Sequence, residues 1–180
     1  LARYSSFFLH EWSHATVALL TGATDKSPLD INYGHGFTFS GCTAVDDGTF
    51  YPELINNGQG VTAAFVAIAG PSMNMLLAIL SLVLLTREQI RRSYLLGSFF
   101  FWGALMNISQ LWSYIPQRSV LYQGGDIFYF EWGLNLPHGI VSVFGTPLII
   151  MGFILIFVPF FTRFVALTRP ALPGLIGLFF

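Results

Sequence analysis

Two histidines and a glutamate near the start of the chain form the residue group best suited to metal chemistry. His10, Glu11 and His14 make an H-E-x-x-H pattern. On a helix, residues four positions apart lie on one face, so both imidazoles can bind one zinc ion with the glutamate beside the attacking water. Zinc held in this way supports hydrolysis, with the glutamate moving the proton. The pattern therefore predicts a zinc hydrolase centred on these residues.

The sequence around this motif is strongly apolar. The chain is 54% hydrophobic and only 9% charged, whereas about a quarter of the residues in a soluble domain are charged. Four apolar segments, at 4–21, 61–85, 94–115 and 140–161, are each close to the roughly 20 residues that a helix needs to span hydrocarbon. Ionisable residues inside a span are costly and usually functional. We expect an all-α, polytopic transmembrane helix bundle with the motif inside the bilayer.

The segment between the first two spans, 22–60, is polar and rich in glycine. In it, 31–33 and 37–40 flank Gly34-His35-Gly36, and apolar alternation around a glycine turn predicts a short β-hairpin after the first helix. The single cysteine, Cys42, excludes an intramolecular disulfide, and the net charge of -1 gives no indication of nucleic acid binding. The segment 164–180 contains two prolines and is expected to be a broken helix or an interfacial segment.

A catalytic zinc ion needs a third protein ligand and an open position for water. Spacing alone does not choose among the candidates, which are His35, Asp46, Asp47, Glu53, Asp126, Glu131 and His138. Asp126 follows Gly124 and Gly125, and glycines let irregular backbone approach a site closely. A capping role at the start of a short helix explains Asp126 equally well.

Several amides lie within the apolar segments. Asn74, in the second span, could bind a substrate backbone or a developing oxyanion, or make a structural hydrogen bond between helices. Asn107, Gln110 and Tyr114 fall at i, i+3 and i+7 of the third span and so share one helix face. That polar stripe is expected to face the bundle interior, where it lines a water path or joins helices.

These motifs resemble, in order, those of the site-2 protease family of intramembrane zinc metalloproteases. The resemblance runs over about 7–130, through 7–15 around H-E-x-x-H, through 68–74 with Gly-Pro-x-x-Asn, and through Ile115-Pro116 towards Gly124-Gly125-Asp126. The third motif departs from the family pattern. Ser113 stands near the usual asparagine position, and Ile127 replaces the glycine that normally follows the aspartate.

The resemblance implies a ligand set and a reaction. His10, His14 and Asp126 would hold Zn²⁺, Glu11 would accept and return the proton, and Asn74 would position the substrate or stabilise charge. The substrate would be a transmembrane or membrane-proximal segment of another protein in the lipid bilayer. The whole of 1–180 would form a single transmembrane metalloprotease domain, with the catalytic core at about 1–135 and additional membrane segments at about 140–180.

Two alternatives remain open from the sequence. One is a membrane protein that binds zinc without catalysis, either a transporter, a sensor or an inactive relative. A transporter would be expected to space its ligands along a path. The other is a zincin-type membrane protease in which Glu131 is the third ligand.

Charge bias predicts the topology of the chain. The loop at 87–92 carries three arginines, and cytoplasmic loops are enriched in Lys and Arg. We expect this loop to be cytoplasmic and 22–60 to lie on the opposite side of the membrane. Cysteine-accessibility labelling of both loops tests the orientation, and reversed labelling would show that the charge argument fails.

Overall fold

The computed structural model of the chain describes residues 2–28, 32–33, 42–43, 50–122 and 124–158, and most of them are helical. The helices are α1 (Ala2–Leu20), α2 (Phe50–Asn56), α3 (Gly60–Thr86), α4 (Glu88–Arg92), α5 (Tyr94–Trp112), α6 (Asp126–Gly133) and α7 (Ile140–Ile156), and a π-helix (Ser113–Tyr122) continues α5. The all-α class is confirmed. Helices α1, α3, α5 and α7 coincide with the four apolar segments, and 164–180 lies outside the described residues.

A minimal antiparallel sheet follows α1. Strand β1 (Asn32–Tyr33) pairs with β2 (Cys42–Thr43), so that Asn32 is opposite Thr43 and Tyr33 is opposite Cys42. The predicted turn at 34–36 and the predicted second strand at 37–40 lie outside the described residues. The hairpin in its predicted form therefore stays a prediction.

Helix α1 ends where a glycine allows the backbone to turn. Gly22 has φ +70°, a left-handed conformation that costs glycine little. The N–H of Ala23 donates to the carbonyl of Ala18 at 2.9 Å, which satisfies one of the carbonyls left free at a helix end. This stop fixes the length of the helix that carries the two histidines.

Helix α3 lies at the centre of the arrangement and packs against α1, α5 and α6, and also against the short α2 and α4. It runs without interruption through Pro71, which is buried. Proline has no N–H to donate, so one backbone carbonyl in the preceding turn lacks its usual partner. Among the described residues, α3 is the one helix both long and apolar enough to cross a membrane, and α7 is a shorter apolar helix. The expectation of several spans remains a prediction.

Polar side chains lie inside the helix assembly, and many large apolar side chains lie on its surface. The buried polar residues are Ser6, His10, Glu11, Ser13, His14, Asn74, Ser81, Asn107, Gln110, Ser119, Asp126, Glu131 and Ser142. On α3 and α7, by contrast, Phe65, Leu76 and Phe144 are 58–69% exposed. The predicted polar stripe is confirmed as inward-facing, because Asn107 and Gln110 are both buried.

At the N-terminus of α3, the backbone lies directly against the backbone at the C-terminus of α6. A Cβ placed on Gly60 would lie 2.5 Å from the carbonyl oxygen of Gly133, and a Cβ on Gly133 would overlap the carbonyl oxygen of Gly60. Neither position can accept a side chain unless the two helices separate. Because α6 begins at Asp126, this contact fixes where that residue stands relative to α3.

We predict that Gly133→Ala destabilises the protein, because the new methyl group must push backbone against backbone, at a cost of about 1–3 kcal/mol. Gly97→Ala is the matched control, since its Cβ would make an ordinary contact 3.4 Å from the carbonyl of Ile90. That change should be neutral or stabilising, because alanine favours helix. Thermal unfolding of both variants in one detergent measures the difference, and equal unfolding temperatures would contradict the contact.

Candidate metal centre

Three buried ligand atoms from α1 and α6 converge on one point. His10 Nε2 lies 3.1 Å and His14 Nε2 lies 3.4 Å from Asp126 Oδ2. The two imidazole Nε2 atoms are 3.1 Å apart. All three residues are buried, at 1%, 3% and 4% exposure. The structure therefore brings together the two motif histidines and the aspartate that was one of several candidates from spacing.

Local backbone geometry turns each ligand towards this point. The histidines are one helical turn apart on the face of α1 that packs on α3, as their spacing predicts. Asp126 is the first residue of α6, and the residue before it, Gly125, has φ +80° and ψ -179°. That combination is essentially restricted to glycine. The side chain of Asp126 makes ion-pair contacts with the histidines, so the purely capping role considered from the sequence does not describe it.

The tautomer of His14 is set by a backbone carbonyl. His14 Nδ1 lies 2.7 Å from the carbonyl oxygen of Val66 on α3. A carbonyl can only accept, so Nδ1 carries the proton and donates, and the lone pair of a neutral ring is at Nε2. This lone pair points at a second imidazole nitrogen and a carboxylate oxygen. A proton on His10 Nε2, or a metal cation at the centre, offsets the repulsion among these acceptors.

The spacing of the three atoms fits a tetrahedral zinc ion. Zinc bonds to nitrogen and oxygen of about 2.0–2.1 Å place neighbouring ligand atoms about 3.3 Å apart. Separations of 3.1, 3.1 and 3.4 Å put the centre of the triangle about 1.9 Å from each atom. Two imidazoles and one carboxylate also match the donor set of catalytic zinc sites, which keep a fourth position open. The described residues contain this one group of three close ligands.

Helix α3 closes one side of the triangle with a glycine. A Cβ on Gly70 would lie 2.6 Å from His10 Nε2 and would overlap His14 Nε2. The absence of a side chain therefore leaves the space into which both ligand nitrogens point. The sequence offered a signal, since Gly70 lies in a run of small residues that permits close packing, but it did not identify the contact with the imidazoles.

A second set of contacts holds the far side of the His10 ring. Asn74 Nδ2 lies 3.0 Å from His10 Nδ1 and donates to Gln110 Oε1 at 2.6 Å. The ring of Tyr114 stacks on that of His10, with centroids 4.8 Å apart and planes inclined by 25°. The Arg118 guanidinium lies 4.8 Å from the centroid of the Tyr114 ring. His10 is thus held by an amide and an aromatic face before any ligand binds.

Glu11 stands next to His10 on α1 and is 9% exposed. Its position in the motif is the one predicted for the general base. It is the one motif carboxylate on α1, and it is not among the three clustered ligands.

The other candidate ligands lie elsewhere. Glu131 is 2% exposed, and its carboxylate accepts from the backbone N–H of Gly139 at 2.8 Å and of Val141 at 2.9 Å. His138 Nδ1 lies 3.4 Å from the same carboxylate. Glu53 is exposed on α2, and His35, Asp46 and Asp47 lie outside the described residues.

No family model, no curated protein and no solved structure matches this chain. The resemblance noted from the sequence is therefore carried by the motifs alone.

We predict that Gly70→Ala strongly lowers the retention of zinc, because its methyl group would occupy the space between the two imidazole nitrogens. Loss of ligand geometry on this scale should weaken metal binding by at least about tenfold, the size of effect seen when the support of a ligand is removed. Gly97→Ala serves again as control and should bind zinc normally. Metal content after dialysis against a chelator distinguishes them, and full zinc retention in Gly70→Ala would contradict the geometry.

Proposed function

We propose that this protein is an intramembrane zinc metalloprotease, similar to site-2 proteases, that hydrolyses peptide bonds within or near transmembrane segments of other proteins. One observation carries the proposal. An H-E-x-x-H helix supplies two imidazoles that meet the Asp126 carboxylate at zinc-ligand spacing, in the interior of an apolar helix assembly. The proposed domain is 1–180.

The distribution of side chains supports a membrane location with several spans. Large apolar side chains cover the surfaces of α3 and α7, whereas amides, hydroxyls and carboxylates face inward. Soluble proteins rarely expose apolar surface on this scale. In a bilayer, apolar side chains face lipid, and ionisable residues face the bundle interior or a wet cavity. Helix α3 would span the membrane, and α1, α5 and α7 would be further segments of the multi-pass protein.

The chemistry of the proposed reaction divides between the metal and Glu11. When bound, a zinc ion would polarise the substrate carbonyl and lower the pKa of a water molecule. The Glu11 carboxylate then accepts the proton of the attacking water and passes it to the leaving amine nitrogen. His10, His14 and Asp126 would supply the three protein ligands of that zinc ion.

An apolar cavity within the helix assembly fits a hydrophobic substrate. It has a volume of about 330 Å³ and lies between α3 and α7. Ile68 and Pro71 of α3, close to Gly70, line it together with Ile127, the residue after Asp126. A peptide segment taken from a membrane span would meet a matching apolar surface in this cavity, which none of the three ligands lines.

The observed contacts disfavour two of the alternatives, a transporter and a protease with Glu131 as the third ligand. A transporter requires ligands along a path, whereas the described residues cluster three ligands at one point. A Glu131 ligand would have to leave two backbone N–H donors at the start of α7 without their acceptor. Unpaired buried N–H groups cost about 1–3 kcal/mol each.

We predict that Glu11→Gln keeps about one zinc ion per chain but loses peptide hydrolysis, because an amide cannot accept the proton from water. Asp126→Asn should lose zinc and activity together, since a neutral amide is a poorer ligand than a carboxylate. Metal content and cleavage of single-span substrates, compared in one detergent, test both expectations.

Glu131→Gln is the control among these variants. It should retain zinc while lowering the unfolding temperature, because the amide cannot accept fully from the start of α7. Full zinc occupancy in Asp126→Asn, with zinc loss in Glu131→Gln, would overturn the ligand assignment. A wild-type protein that cleaves at full rate without metal would overturn the proposed function.

A further inference from the structure

The two amides behind His10 form a chain of contacts leading away from the metal centre. Asn74 is fully buried, and Gln110 is 8% exposed. Asn74 bridges His10 Nδ1 and Gln110 through one terminal atom, at 3.0 and 2.6 Å. Asn74 Oδ1 and Gln110 Nε2 have no hydrogen-bond partner. Rotating either terminal amide by 180° therefore breaks no hydrogen bond beyond those that link His10, Asn74 and Gln110.

The orientation of these amides determines which nitrogen of His10 carries the proton. When Asn74 Nδ2 faces His10, it donates, Nδ1 must accept, and the ring proton of a neutral imidazole is on Nε2. That proton can be donated to the lone pair of His14 Nε2, 3.1 Å away. A protonated Nε2, however, has no lone pair for a metal ion. Metal ligation through Nε2 requires a proton on Nδ1 and hence an acceptor in place of the Asn74 amide nitrogen.

We propose that Gln110 and Asn74 form a relay that positions His10 as a metal ligand. Gln110 Nε2–H donates to Asn74 Oδ1, which also accepts from His10 Nδ1–H and leaves Nε2 free for zinc. Rotating both terminal amides by 180° produces this arrangement, because the nitrogen and oxygen of each amide exchange positions. The contacts of Asn74 with His10 and with Gln110 both remain, with donor and acceptor reversed. The inference rests on the proposed function, since it assigns supporting residues to the same site.

This role differs from the substrate contact predicted for Asn74. An oxyanion contact needs an N–H directed at the substrate, whereas the relay needs a carbonyl oxygen directed at His10. The amide lies at Nδ1, the ring nitrogen outside the ligand triangle, and it has no exposed surface. Asn74 is therefore a positioning residue, which acts through His10, and Gln110 acts through Asn74.

Zinc affinity, titrated against a competing chelator in detergent, tests the relay without using activity. Asn74→Leu, which removes the acceptor, should weaken zinc binding by about 10- to 100-fold, as loss of a partner behind a metal ligand typically does. Asn74→Asp should bind zinc at least as tightly as the wild type, because a carboxylate accepts from both His10 and Gln110. Gln110→Met should weaken binding by about tenfold.

Asn107→Leu is the matched control. Asn107 is a buried amide on the same helix as Gln110, but its partners are the Gly103 carbonyl at 2.7 Å and Ser6 Oγ at 2.9 Å. Its loss should change stability and leave the zinc affinity of the folded protein unchanged. A general packing defect would instead weaken zinc binding in Asn107→Leu and Asn74→Leu alike, and that result would overturn the relay.

The remaining outcomes separate the relay from the proposed function. Wild-type affinity in Asn74→Leu, or affinity in Asn74→Asp as weak as in Asn74→Leu, would overturn the relay alone. If Asn74→Leu does not fold, Gln110→Met is the deciding variant. Wild-type zinc affinity in Gln110→Met would then overturn the relay. A wild-type protein that binds no zinc would overturn the proposed function as well.

Discussion

The structure depends on the close approach of α1 and α3 at Gly70. At this point the backbone of α3 lies directly against the Nε2 atoms of His10 and His14. One turn earlier, the carbonyl of Val66 accepts a hydrogen bond from His14 Nδ1–H. Two helices can come so near only if the residue between them has no side chain. The contact leaves a polar pocket between apolar helices, and Asp126 completes it from α6. The positions of the other helices follow from holding these three elements together.

Much of this arrangement could be predicted from the sequence, because spacing encodes what happens within one helix. The pairing of His10 and His14 follows from the four-residue interval, and the inward face of Asn107 and Gln110 follows from their three-residue interval. The apolar runs predicted the long helices, and the glycine that follows the first run, Gly22, is a natural helix stop. Each of these inferences uses only the period of the helix and the conformational freedom of glycine.

Contacts between helices were harder to predict, because spacing along the chain does not fix distance in space. Spacing alone left Asp126 among seven candidates, and only the family resemblance favoured it before the structure placed it beside the histidines. The structure gives Glu131, which was a candidate ligand from the sequence, two backbone N–H partners at the start of α7. Asn74 was expected either to contact the substrate or to join helices, and its amide lies between His10 of α1 and Gln110 of α5. In each case the deciding partner is a backbone group or a residue distant in sequence, and neither leaves a periodic signal.

Helix α6 makes two separate sets of contacts, one near each of its ends. Its first residue, Asp126, points at the histidines, and near its last turn Glu131 holds the start of α7 through two backbone hydrogen bonds. Eight helical residues make a stiff rod about 12 Å long. One short, stiff helix therefore links the start of α7 to the carboxylate of Asp126. The cavity wall that α7 contributes and the carboxylate that faces the histidines are thus joined by a single helix.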